Sequence, residues 1–159
     1  MTTEWPRNSD VTPLEAVSLA LVPCNPDVHG SFIRALTREN FYDMMIRTID
    51  WNEQRHQQEP RFPERYRMVQ RNDETIGFFC IRVEADYLYI HTIQLVPSHR
   101  GKGIGTALLQ YIEGIAKSLN LRSIYLSVFK ENPAQLLYRK LGYTPIENDE
   151  YLIRMEKVL

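Results

Sequence analysis

The sequence predicts an α+β protein, a mixed and mostly antiparallel sheet of about six or seven strands with helices on both faces. Three observations carry this. Strand-like runs over residues 66–70, 75–84 and 87–96 are joined by the short turns Asn72-Asp73-Glu74 and Ala85-Asp86, and connections that short make antiparallel neighbours. A glycine-rich turn beyond Val96 opens a strongly amphipathic helix, and the next alternating run, Ile124, Leu126 and Val128, is made parallel to its predecessor by that crossover. Residues 143–159 offer a last pair of strands around Asn148-Asp149. The meander excludes a doubly wound parallel sheet.

In chain order, residues 1–15 are polar, aperiodic and hold two prolines, so they read as a flexible tail before a single domain over 16–159. Residues 16–22 form a short apolar strand closed by Pro23. Asn25-Pro26-Asp27 starts a helix with Val28, Phe32, Ala35 and Leu36 at helical spacing, and Phe41, Met44, Met45 and Ile49 give a second helix or its continuation. Residues 51–63 are polar and broken by proline, hence loop or irregular helix. Past the glycine turn, Ile104, Ala107, Leu108, Tyr111, Ile112, Ile115, Ala116 and Leu119 line one helical stripe. Asn132 can cap a further helix with Pro133 at its first position, Gln135 placed for a capping box, and Gly142 just past the end.

Bulk properties narrow the classes. With 159 residues, 43% hydrophobic and 25% charged, the chain can bury a proper core. A net charge of −1 argues against a general nucleic-acid or membrane surface. No apolar run reaches membrane-span length, and the N-terminus does not read as a signal peptide. Cys24 and Cys80 are the only cysteines, read as buried free thiols of a reducing cytoplasm, and the four scattered histidines show no metal-ligand spacing, so no metal is expected.

The chemistry concentrates in His99-Arg100-Gly101-Lys102-Gly103-Ile104-Gly105-Thr106. Glycines between a strand and a helix let the backbone curl and a ligand approach its amides, and the helix dipole favours an anion there. No Lys-Ser or Lys-Thr follows, which excludes a Walker loop, and Thr106 stands where a dinucleotide fingerprint needs its last glycine. Arg100 to Gly105 instead spell R-x-x-G-x-G, which resembles the pyrophosphate motif of the GNAT N-acetyltransferases. Downstream, Asn132-Pro133-Ala134-Gln135-Leu136-Leu137-Tyr138-Arg139-Lys140-Leu141-Gly142-Tyr143 is similar to that family's N-x-A-x-x-L-Y-x-x-x-G-[FY] block. The resemblance covers about residues 17–159.

The resemblance implies the GNAT fold and acetyl transfer from acetyl-CoA to an amine. It puts the pyrophosphate on the segment Arg100, Gly101, Lys102, Gly103, Ile104, Gly105 and Thr106. Ile93, Gln94 and Leu95 would offer backbone to the pantetheine arm, and an N–H near Leu95 would serve the oxyanion, where two parallel strands splay apart. Tyr138 matches the general acid that protonates the leaving sulfur; a phenol of reference pKa about 10 holds its proton at neutral pH. The same tyrosine also reads as a packing residue. Asn132 matches a polar position near the pantetheine and is equally a helix cap. His91, on one strand face with Tyr89, falls at a position some members use for the base, and a histidine suits that task. Ser127 stands where some protein-acetylating members carry a glutamate.

Residues 41–63 and 84–86 are expected to shape the acceptor site, with Trp51, Phe62, Glu53 and Asp86 available to a cationic amine. The leading expectation is a small-molecule amine; a protein lysine or N-terminus and a non-catalytic acyl-CoA-binding regulator remain as alternatives. Family members are often dimers, but no interface is legible here.

Overall fold

The computed structural model describes residues 11–159. They form an eight-stranded sheet of order β1-β2-β3-β4-β5-β6-β8-β7. The strands are β1 (Thr12–Leu14), β2 (Leu19–Pro23), β3 (Tyr66–Arg71), β4 (Glu74–Val83), β5 (Tyr87–Leu95), β6 (Ser123–Phe129), β7 (Thr144–Asn148) and β8 (Leu152–Val158). The helices are α1 (Pro26–Arg47), α2 (Glu53–Gln57), α3 (Ile104–Ser118) and α4 (Ala134–Lys140). The chain makes two compact units, and β4 and β5 run from one into the other.

One unit holds the described residues up to Cys80 together with Thr92–Lys102. β1, β2, β3 and β4 are successive antiparallel neighbours. Asn25 starts α1 by accepting from the Asp27 amide at 3.0 Å, with Pro26 supplying a first residue that needs no donor. Ile33 and Leu36 of α1 bury against Tyr66, Met68, Phe78 and Cys80 of β3 and β4. Burial of aliphatic side chains as complete as this contributes about 1.5–3 kcal/mol each. Between β3 and β4 the register slips, Val69 facing Gly77 and Gln70 facing Thr75, so Ile76 is the extra residue of a bulge. Its carbonyl accepts from Val96 N at 2.9 Å, just past the end of β5.

The other unit holds Ile81–His91 and Gly103–Leu159. Here β5 and β6 are parallel, Tyr87 to Ile90 against Ser123 to Leu126, and β6 continues along antiparallel β8 as far as Phe129. Leu88, Ile90, Ile124, Leu126, Val128, Ile153 and Met155 are buried, as are Ile104, Leu108, Leu109, Ile112 and Ala116 of α3. Lys157 of β8 reaches Glu113 of α3 at 2.7 Å, tying the helix to that strand.

Several expectations change. Residues 12–14, placed in the tail, pair with β2; residues 1–10 lie outside the described residues. That pairing raises the strand number to eight. β2 begins only at Leu19, because residues 15–17 turn in a 3-10 helix. Of the two readings after Asn25 the continuation holds, as α1 is one helix, and a short α2, capped by Asn52, lies in the region read as loop or irregular helix. Leu109 joins the buried stripe of α3, while Ala107, Tyr111, Ile115 and Leu119 are half-buried. Asn132 does cap α4, accepting from Ala134 N at 2.9 Å, but Gln135 turns its amide to the Lys130 carbonyl instead of closing a capping box.

Candidate active site

At the glycine loop the backbone itself is the functional group. Gly101 and Gly103 sit at φ +71° and +81°, the left-handed region that other residues enter only at a cost. A Cβ at either position would meet no atom within 4 Å. The positions therefore serve the turn and the open space over it, not close packing. Gly103 is the N-cap of α3 and has no side chain with which to cap it. The first intrahelical bond comes from Ala107 N to Gly103 O at 3.1 Å, so the amides of Ile104, Gly105 and Thr106 precede the helix ladder. Such an end attracts an anion. Lys102 is exposed beside it. Gly105 differs from its neighbours: its Cβ would lie 3.1 Å from Leu137 Cδ2, so it lets α3 approach α4.

Arg100 does not extend over the loop. Its Nε donates to the Leu95 carbonyl at 3.1 Å, and its terminal nitrogen donates to Asn40 Oδ1 of α1 in a very short contact. Gln94 is buried, whereas Ile93 and Leu95, on the alternate face of β5, are half-buried. The Gln94–Leu95 backbone presses on Gly77 of β4, where an added Cβ would stand 2.3 Å from Gln94 O.

Tyr138 lies in the second turn of α4. Burial pushes its phenol up to about 12, so the group holds its proton through the neutral range. Its ring meets that of Tyr143 edge-on, centroids 5.8 Å apart. The Tyr143 hydroxyl is buried without a hydrogen-bond partner among the described residues, and burial raises its pKa as well. On the strands of the same unit, the ring of His91 packs edge-on to Tyr89 at 4.8 Å, and Tyr89 Oη donates weakly to Ser127 Oγ at 3.4 Å. The Arg82 guanidinium lies 5.4 Å from the Tyr89 ring centroid and pairs with Glu84 at 2.6 Å. His91 and Ser127 are exposed, so solvent reaches this cluster.

Of the residues expected to receive an amine, Glu53, Trp51 and Phe62 are already engaged. The Glu53 carboxylate accepts from Arg38, from Trp51 Nε1 at 2.7 Å and from Gln57 at 2.8 Å. Those three bonds hold its pKa near 2, well below the usual carboxylate value. Trp51 meets Tyr42 edge-on and the buried His56 at a tilt, with centroids 5.3 and 4.5 Å away, and Arg38 lies over it. Phe62 is covered by Arg65 at 4.1 Å.

Among the described residues no group of three or more His, Cys, Asp and Glu side chains could hold a metal ion, and no helix is long and apolar enough to cross a membrane.

Sequence reasoning missed Thr37, Asn40 and Gly77, and gave Tyr143 no role beyond closing its motif. An isolated glycine within a strand pattern does signal close backbone approach, so Gly77 was legible. Asn40 carried no signal, since its partners come from residues more than fifty positions away.

A chain with this α+β sheet and this uncapped glycine turn has a fold and an anion-accepting helix end that known proteins share. The acetyltransferase (GNAT) family matches residues 31–143, and the chain belongs to it. The Uncharacterized N-acetyltransferase YobR of Bacillus subtilis is 36% identical over 66 residues, 41% of this chain and 27% of that protein. The [Ribosomal protein bS18]-alanine N-acetyltransferase of Haemophilus influenzae is 28% identical over 76 residues, 48% of this chain and 52% of that one. The aligned part of this chain thus spans from about a quarter to about half of these two relatives. Among solved structures, Arabidopsis thaliana Naa50 in complex with the bisubstrate analogue CoA-Ac-MVNAL superposes with TM-score 0.69 at 22% identity, over 90% of this chain and 100% of that one.

Proposed function

We propose that this protein is an N-acetyltransferase that moves an acetyl group from acetyl-CoA to a primary amine by direct attack. The observation that carries the reading is the uncapped N-terminus of α3 behind two left-handed glycines with open space above them, in a chain of the GNAT family. The amides of Gly101 through Thr106, with Lys102 alongside, would hold the pyrophosphate, and the open space fits a bulky anion. The backbone of Ile93, Gln94 and Leu95 would take the pantetheine arm, with Asn132 near it and the Leu95 N–H as oxyanion donor.

In the reaction the amine nitrogen bonds to the acetyl carbon and the carbon–sulfur bond breaks. Tyr138 gives its proton to the departing sulfur, and burial keeps that proton available. His91, exposed beside Tyr89 and Ser127, receives the amine's proton directly or through water. A cysteine acyl carrier is unsupported, because burial pushes the Cys24 and Cys80 thiols up to about 11 and 12 and suppresses their nucleophilic thiolate forms. Two free thiols among the described residues fit a cytoplasmic protein.

For the acceptor, a small amine and the α-amine of a peptide compete. The peptide is favoured by one observation: the Glu53 carboxylate, the anion expected to pair with a small cationic amine, is saturated by Arg38, Trp51 and Gln57. Thiol release from acetyl-CoA, measured with polyamines, amino acids, aminoglycosides and short peptides, separates the two. Release with peptides alone supports the α-amine acceptor, and release with one small-amine class overturns it. Binding of acetyl-CoA with no release from any acceptor would favour a regulator.

A further inference from the structure

We infer that Arg100 is a positioning residue, which clamps the end of β5 through the Leu95 carbonyl and through Asn40 and Gln94, and does not act as a phosphate ligand. This rests on the acetyl-CoA reading above.

The network is closed and has one polarity. Arg100 donates to Asn40 Oδ1, which turns the Asn40 amide nitrogen toward Gln94 Oε1 at 3.1 Å. That contact in turn directs the Gln94 amide nitrogen to Thr37 Oγ1 and Thr92 Oγ1, each at 3.1 Å. Flipping either amide would set like groups against each other, so the cation at one end dictates the orientation of both. Gln94 is only 4% exposed, so an unmatched amide there would be costly.

The ring closes through the backbone. Arg100 Nε holds Leu95 O at 3.1 Å, and the N–H of that same peptide unit, Val96 N, donates to Ile76 O at 2.9 Å. The preceding peptide unit carries the Leu95 N–H and presses on Gly77. Leu95 is thus fixed from both sides, and α1, through Thr37 and Asn40, supports the donor strand. Two separate acceptors at fixed angles need the planar fork of arginine; a lysine point charge cannot serve both.

The test compares Arg100→Ala, Arg100→Lys, Asn40→Ala and the Arg100→Ala/Asn40→Ala double variant of the full chain. In thiol-release assays, a misplaced oxyanion donor should lower kcat about tenfold or more in Arg100→Ala, in Arg100→Lys and in Asn40→Ala. CoA affinity by calorimetry should change less than about threefold, and the double variant should be no worse than Arg100→Ala alone, since both act on one unit. A phosphate ligand would behave otherwise: Arg100→Lys would restore wild-type CoA binding, Asn40→Ala would be silent, and the loss would appear in affinity. Hydrogen exchange supplies a readout that needs no activity. The Val96 amide should lose at least about tenfold of its protection in Arg100→Ala and Asn40→Ala. Unchanged Val96 protection overturns the clamp, whereas absence of thiol release in the unaltered protein overturns only the acetyltransferase reading.

Discussion

In the proposed reaction Tyr138 and His91 would divide the proton chemistry between them, and their surroundings differ. Tyr138 is desolvated, which favours its neutral form and raises its pKa to about 12. The sign of the shift sets the pH window. The proton-holding state is complete below the unfolded value near 10 and is lost only as pH climbs toward 12, so an alkaline fall in rate below about pH 10 belongs to another group. Replacement by Phe should lower kcat about 100-fold, the scale of a lost general acid, and leave the KM for acetyl-CoA nearly unchanged, in steady-state assays. His91 is exposed, with its ring edge-on to that of Tyr89. His91→Ala should flatten the acidic limb of the pH–rate profile; an unaltered limb would assign the base to water or to another side chain. Both residues stood out in the sequence, Tyr138 by its motif and His91 by its strand position. The desolvation of Tyr138 did not, because burial arises only where separate segments pack together.

At the scale of elements, two strand ends do most to shape the site. Beside the bulge at Ile76, Gly77 leaves room for the Gln94–Leu95 backbone. A methyl at this position would stand 2.3 Å from a carbonyl oxygen that is part of the strand, so no rotamer change relieves it. Gly77→Ala should therefore destabilise the protein by about 2 kcal/mol or more, read as a lower urea midpoint, and depress turnover in the remaining folded fraction. Elements were legible where a pattern was local: the cap of α1 at Asn25, the stripe of α3 and the parallel β5–β6 ladder all follow the sequence. β1 was not legible, because a three-residue strand carries no period and exists only through its pairing with β2. The packing constraint on Gly105 was not legible for a similar reason, since its neighbour Leu137 lies on another helix.

For the molecule as a whole, the aromatic and ionic cluster around Glu53 reads as structure, and its stability has a direction with pH. Three donors hold Glu53 near pKa 2, below its ordinary 4.5. Its contribution is complete above pH 4.5 and is lost as the acid range is entered toward pH 2. Glu53→Gln should melt at a lower temperature than the unaltered protein at pH 7, and the gap should close as pH falls through that window. A retained gap at low pH would show that the carboxylate charge is not what stabilises the cluster. The family and fold were readable from two motifs and a meander, but the acceptor was not, since Trp51 and Glu53, both suited to an amine, bond to each other. The central claim is that the turn at Gly101 and Gly103 binds the donor's pyrophosphate, and it is tested most directly by calorimetric titration of Gly103→Trp with acetyl-CoA. An indole there would project into open space and leave the fold intact apart from the φ strain, about 1–2 kcal/mol. The account predicts a folded protein with no measurable acetyl-CoA binding beside an unaltered protein that binds; affinity retained in Gly103→Trp would contradict it.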